Sequence, residues 1–162
     1  MITKAIIKDI PLIQDLAEKS WRSHYPGIIS PEQIDFMLDL MYSQEEITSQ
    51  FNNPNYHYYL LGDAENFYGI MGFENHYELN TTKLHRIYIT EDGKGKGLGK
   101  EAIQFLKNQI LEVGDQRIIL AVNKQNPSYH FYLSQGFKVY EEGVFDIGNG
   151  FVMDDYLMEW NA

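Results

Sequence analysis

The 162-residue chain contains no cysteine. Disulfide scaffolds, thiolate zinc sites and cysteine nucleophiles are therefore excluded. No apolar run comes near the ~20 residues that a membrane-spanning helix requires. Residues Met1 to Asp9 lack the apolar core and small-residue cleavage site of a signal peptide, which makes a cytoplasmic protein the expectation. Repeats, low-complexity stretches and Pro/Gly/Ser linkers are also missing, and the length suits one domain spanning 1–162. Basic residues are scarce: 13 Lys and Arg stand against 23 Asp and Glu, a net charge of −10. That balance disfavours phosphate-rich partners, so neither nucleic acid nor a membrane surface is expected as a partner. The remaining composition, 44% hydrophobic and 22% charged, is that of a chain able to bury a core.

The scarcity of basic residues is uneven. Between Arg22 and Lys83 there is no Lys or Arg, and residues 139 to 162 contain none either. Residues 1 to 82 have a net charge of −8, residues 83 to 138 of +4, and residues 139 to 162 of −6. Any single surface carboxylate needs no special reading. A basic centre between two acidic flanks suggests one anionic ligand and one cationic one.

The local patterns read as β-α-α-α-β-β-β-α-β-α-β-β. Residues 2 to 7 are a short strand, and Asp9 caps a helix with Pro11 in its first turn. Ser30-Pro31-Glu32-Gln33 and Ser43-Gln44-Glu45-Glu46 are capping boxes that open two more helices. Strands follow at 56–62, 67–75 and 84–89, then a helix at 97–113 closed by Gly114. A strand at 117–122, a helix from Asn126-Pro127 to Gly136, and a hairpin with strands at 137–145 and 151–159 complete the chain. The fold class is α/β or α+β, a mixed sheet with helices on its faces.

The densest feature is Gly93-Lys94-Gly95-Lys96-Gly97-Leu98-Gly99-Lys100, between a strand and a helix. Glycines let successive backbone N–H groups turn toward one point, and the helix start adds unpaired donors and a positive dipole end. Such a loop holds phosphate or pyrophosphate. It is not a Walker loop, because Lys94 stands where the first Gly belongs and Glu101 where Ser or Thr belongs. The Gly-x-Gly-x-x-Gly dinucleotide pattern fails from every glycine start.

Lys94-Gly95-Lys96-Gly97-Leu98-Gly99 resembles the Arg/Gln-x-x-Gly-x-Gly/Ala loop of the GNAT superfamily of acetyl-CoA-dependent N-acetyltransferases, with Lys in the first position. Leu120-Ala121-Val122-Asn123 looks like the family's fifth strand, and Asn126 through Tyr132 to Gly136-Phe137 like its following helix and exit. Asn126 lies six residues before Tyr132, one fewer than in many members. The resemblance covers about 84 to 137 and implies a mostly antiparallel sheet splayed between strands four and five, with acetyl-CoA in the gap. Backbone of Ile87, Tyr88 and Ile89 would then hold the pantetheine. The amides of Lys94, Gly95, Lys96, Gly97, Leu98, Gly99 and Lys100 would hold the pyrophosphate, and Asn126 would touch the cofactor from the other side, unless it serves only as a helix cap.

Amine acetylation needs a base for the ammonium and an acid for the departing thiolate. The resemblance assigns the acid to Tyr132, which as a phenol stays protonated at neutral pH. The family's fourth-strand glutamate position falls on Lys83; His85, two residues on and on the same face of the strand, is the candidate base, with Glu74, Asp155 or water as rivals. No histidine spacing fits a metal motif, so no metal is expected. In this family the segments before the third strand and the last hairpin shape the acceptor side, and here these are the acidic blocks. The tail from Gly148 to Met158 also resembles the ending of some bacterial polyamine acetyltransferases. Trp21, Tyr25, Tyr42 and Tyr156 could line a slot for an alkylammonium. The expectation is an N-acetyltransferase acting on a small cationic amine such as a polyamine by direct attack, with a homodimer left open. A catalytically idle acyl-CoA-binding sensor of the same fold is the alternative.

Overall fold

The computed structural model describes all residues, 1–162. Its elements run β1 (Ile2–Lys4), α1 (Ile10–His24), α2 (Pro31–Tyr42), α3 (Gln44–Phe51), β2 (Tyr56–Gly62), β3 (Phe67–Glu78), β4 (Thr81–Ile89), α4 (Leu98–Glu112), β5 (Arg117–Asn123), α5 (Ser128–Ser134), β6 (Lys138–Gly148) and β7 (Phe151–Asn161). The strands form one sheet in the order β1-β2-β3-β4-β5-β7-β6, antiparallel except for the parallel pair β4 and β5. This is the mixed α+β architecture that the sequence implies.

Two expectations at the N-terminus need correction. The first strand is shorter than 2–7, because Ile7–Asp9 turn as a 3-10 segment. Asp9 does not cap α1; its carboxylate instead accepts from the backbone N–H of Ile6 at 2.8 Å, which closes the turn before the helix. Of the two capping boxes only the hydroxyl half forms: Ser30 Oγ accepts from Gln33 N and Ser43 Oγ from Glu46 N, each at 3.1 Å, while the Gln33 side chain reaches Val152 O and the Glu46 carboxylate meets Gln50 instead of the cap backbone. The last hairpin is tighter than 146–150. Its strands extend to Gly148 and Phe151, leaving Asn149 (φ 54°) and Gly150 (φ 77°) as a two-residue turn whose left-handed backbone matches the twist of the strands.

Each face of the sheet carries its own core. On one, Ile13, Ala17 and Trp21 of α1, Ile34 and Met37 of α2 and Ile47 of α3 pack on Tyr58, Leu60, Ile70 and Met153. On the other, Ala102, Ile103, Leu106 and Ile110 of α4 and Tyr132 of α5 pack on Met71, Leu84, Ile118, Leu120 and Met158. The central strands are thus buried on both sides, which anchors the region where β4 and β5 meet.

They meet only briefly. Thr81, Thr82 and Lys83 pair with Arg117, Ile118 and Ile119, and the pairing then stops. From Leu84 onward β4 stays on β3 while β5 follows β7, so a wedge opens between them. The divergence starts at a β-bulge. Leu84 faces Phe73 and Arg86 faces Gly72, leaving His85 as the extra residue on β4. A bulge bends its strand and increases the local twist.

Candidate active site

The wedge is a cavity of about 420 Å³. One wall is β4 from Leu84 to Ile89, and the opposite wall is Leu120, Ala121 and Val122 of β5 with Asn126, Ser128, Phe131 and Tyr132. The glycine loop and the start of α4 close one end. Ser20, His24 and Tyr25, at the C-terminal end of α1, cover another side. The sequence reading did not single out Ser20 or His24, because nothing in a helix end announces which cavity it will cover.

The loop is built for an anion. Gly95 (φ 78°) and Gly97 (φ 74°) occupy the left-handed region, and their α-carbons face open space in which a side chain would stand. The backbone N–H groups from Gly95 to Lys100 have no hydrogen-bond acceptor within the protein. A run of unpaired donors at the positive end of a 15-residue helix matches a diphosphate in charge and hydrogen bonding. Of the candidate cofactor residues, Lys94, Gly95, Gly97, Leu98, Gly99 and Lys100 lie in the cavity wall, as do Ile87, Tyr88, Ile89 and Asn126. Lys96 does not; its ammonium sits over the ring of Tyr68, 5.1 Å from the centroid. Lys94 Nζ is held by Glu91 at 2.8 Å. The Asn126 side-chain carbonyl accepts from Ser128 N at 2.9 Å at the entry to α5, and its amide donates to the hydroxyl of Tyr25 at 3.4 Å.

Tyr132 projects from α5 into the wedge. Its ring is fixed by Phe137 and Phe131, with centroids 5.9 and 5.5 Å away, and its hydroxyl has no partner within the protein. Burial, with the nearby Tyr25 phenol adding, pushes its pKa well up, so it remains a donor at any working pH.

On the opposite wall, His85 Nε2 lies 3.0 Å from Glu74 Oε1. An ionised carboxylate only accepts, so Nε2 carries the proton and Nδ1 keeps its lone pair. The imidazole stacks on Tyr56 at 5.0 Å and meets the edge of Tyr77 at 5.7 Å. Burial lowers its pKa, and the Lys83 ammonium lowers it further; Glu74 only partly opposes them. Two of the rival bases are therefore one hydrogen-bonded pair.

The bulge also turns Arg86 inward. Its Nη1 donates to Tyr58 Oη at 2.5 Å and to Gln50 Oε1 at 3.3 Å, and its guanidinium lies over the Tyr42 ring, 4.4 Å from the centroid. No carboxylate pairs with it, and the surrounding tyrosines, Tyr42 first, hold its pKa up against the cost of burial. The tyrosine cluster is thus a packed cage for a cation of the protein's own. Trp21 and Tyr42, read as possible walls of an amine slot, are core residues at 1% and 4% exposure. Tyr156 packs on Tyr129 at 4.8 Å, and of the four aromatics proposed for that slot only Tyr25 lines the cavity.

The residues 28–156 match the family model described as the acetyltransferase (GNAT) domain. This chain is a GNAT acetyltransferase. It is 27% identical over 156 residues to a spermidine N(1)-acetyltransferase of Thermoplasma acidophilum, covering 94% of each chain. Its fold superposes on the crystal structure of the PaiA N-acetyltransferase of T. acidophilum in complex with coenzyme A, with a TM-score of 0.84 at 24% identity over 100% of this chain and 98% of that one. A GCN5-related N-acetyltransferase of Rhodopseudomonas palustris gives 0.83 at 12% identity, over 100% and 95%. The GNAT family draws its acetyl group from acetyl-CoA, and the unpaired β4 edge and the donor-rich loop of this acetyltransferase fit that cosubstrate. It holds no group of three or more His, Asp or Glu side chains placed to bind a metal ion. None of its helices is long and apolar enough to cross a membrane.

Proposed function

We propose that the whole chain, 1–162, works as one domain that acetylates a small cationic amine, with a polyamine as the first candidate. The observation that carries this reading is the meeting of the two acidic segments on one face of the sheet. Phe36 of α2 packs on Phe151 of β7 at 5.3 Å, and Gln33 Nε2 donates to Val152 O at 2.8 Å. Two stretches far apart in the chain, neither with a basic residue of its own, thereby share one face of the sheet. The naming of a relative as a spermidine acetyltransferase supports the same acceptor class.

In this reading Tyr132 donates its hydroxyl proton to the departing sulfur. His85, oriented by Glu74, receives the ammonium proton at Nδ1, directly or through a water. The neutral amine then attacks the thioester carbonyl, the C–N bond forms as the C–S bond breaks, and the surplus proton shed by the acylated nitrogen restores the Tyr132 phenol, directly or through a water. The backbone of Ile87, Tyr88 and Ile89 aligns the pantetheine, and the 94–100 loop with Asn126 holds the rest of the cofactor. A small-molecule rather than nucleic-acid partner follows the charge of −10, and the cytoplasm is the location proposed with it.

Incubation with acetyl-CoA and a panel of amines, with release of free thiol as the readout, tests the proposal. Turnover with di- and polyamines supports it. Tight CoA binding without thiol release from any amine would favour the idle sensor.

A further inference from the structure

The mechanism leaves two buried carboxylates unused, Asp115, which is held by His76 and Thr82, and Asp155. Asp155 is 9% exposed, and its Oδ1 is fully enclosed without a hydrogen-bond partner. It sits on β7 opposite Asn123 of β5 and Gly143 of β6, two residues beyond Met153, which belongs to the core under α1 and α2. The period of two along a strand therefore puts it on the same face as those helices, where the acidic segments meet. It is close enough to Tyr25 for its charge to add to the upward push on that phenol, and Tyr25 is part of the cavity wall.

Burying a carboxylate without a counter-ion is costly, and none of the nearby cations is paired with it. Lys124 pairs with Asp154 at 3.0 Å and Glu142 at 3.3 Å. Arg22 pairs with Glu18 at 3.1 Å and Asp35 at 2.8 Å. Arg86 is enclosed by tyrosines and Gln50. α2, α3, β6 after Lys138, and β7 contain no Lys or Arg at all.

We propose that Asp155 is a specificity residue that binds the second, non-reacting ammonium of a di- or polycationic acceptor. The inference rests on the amine-acetyltransferase reading above and narrows it. Asp155 lies beside Tyr25 of the cavity wall, so the carboxylate meets the far end of an acceptor whose near amine reacts. A monoamine of equal chain length leaves the carboxylate unpaired.

The test compares putrescine with butylamine in the parent protein and in Asp155→Asn, with Asp154→Asn as the control on the opposite face of β7. The parent should prefer putrescine in kcat/KM. In Asp155→Asn that preference should fall by about 10- to 100-fold, the factor expected for a hydrogen bond to a charged group. Butylamine turnover and the CoA dissociation constant should stay unchanged, and Asp154→Asn should behave as the parent. An equal loss for both amines would make Asp155 a base or a structural residue and overturn the assignment, as would an unchanged preference. A second readout needs no turnover. Spermidine should raise the melting temperature of the CoA-saturated parent and not that of Asp155→Asn. That difference without any thiol release would sink the transferase reading and keep the ammonium site; turnover without that difference would do the reverse. Neither signal would overturn both.

Discussion

Glu74 and His85 face each other across β3 and β4 with Oε1 and Nε2 3.0 Å apart, and the contact exists because His85 is the extra residue of a bulge. The carboxylate takes the Nε2 proton and so leaves Nδ1 as the only basic nitrogen. Burial and Lys83 hold the imidazole neutral below its ordinary range. His85→Gln should lower kcat by about 10²-fold, within the usual span of a general base, while Glu74→Gln should cost about tenfold and move the acid limb of the kcat profile to lower pH. The sign follows from the loss of the one neighbour that favours the imidazolium. A pH–rate profile with the same limb in parent, Glu74→Gln and His85→Gln would assign the proton to water or another group.

Tyr132→Phe keeps the ring on Phe137 and removes a hydroxyl that has no protein partner, so the fold and CoA binding should survive. The expected effect is a fall in kcat of about 10²–10⁴ with a smaller change in the KM for acetyl-CoA, the pattern of an interaction made mainly in the transition state. An acyl donor with a thiol of lower pKa should partly rescue the variant. Near-normal turnover where chemistry is rate-limiting would make Tyr132 a packing residue.

Gly97 has φ 74° and open space around its α-carbon, so the objection to a side chain there is backbone strain rather than a clash with protein. Gly97→Val should weaken CoA binding, because a β-branched residue in the left-handed region costs at least ~1–2 kcal/mol and adds bulk where the anion approaches. Gly97→Asn should be milder. Calorimetric titration of CoA checks both, and parent-like affinity in a folded Gly97→Val would remove the loop from the cofactor site.

Turnover of spermidine should decline as salt is raised, since exposed charge is screened over ~10 Å at 0.1 M ionic strength. Turnover of a neutral-tailed monoamine should respond less. Equal salt dependence for both would reduce the acidic segments to solubilising surface.

Burial, with Asp154 adding, pushes the pKa of Asp155 from the ordinary 3.8 up to about 6. The folded state therefore binds the extra proton between these values, and stability should fall as pH rises from about 4 to about 6 and stay lower above. Asp155→Asn should abolish that loss. The gain near pH 7 is bounded at roughly 3 kcal/mol by ~1.4 kcal/mol per unit and is smaller in practice because solvent reaches part of the group. Denaturant melts at pH 4 and pH 7 measure it: equal midpoints for parent and variant at both would place the carboxylate in water.

The sequence by itself determined what depends on neighbours along the chain. The glycine loop before α4 is legible because left-handed backbone and unpaired N–H groups are local properties, and the Ser30 and Ser43 caps because each hydroxyl reaches a donor three residues on. Tyr132 was legible through its place in a helix motif, and the acidic blocks through simple counting. Only the tertiary structure decided the rest. Asp9 looked like a cap and closes a 3-10 turn instead, since an Asp before a helix has several backbone donors within reach. Arg86 becomes a buried cation because the bulge puts it on the same face as Tyr42 and Tyr58, which alternation along an unbulged strand would not do. The Glu74–His85 pair, the wedge between Leu84 and Leu120, and the unpartnered oxygen of Asp155 all depend on register between strands distant in sequence. Register is set by which faces find a core, and that is settled only when α1 to α3 and α4 to α5 close on opposite sides of the sheet.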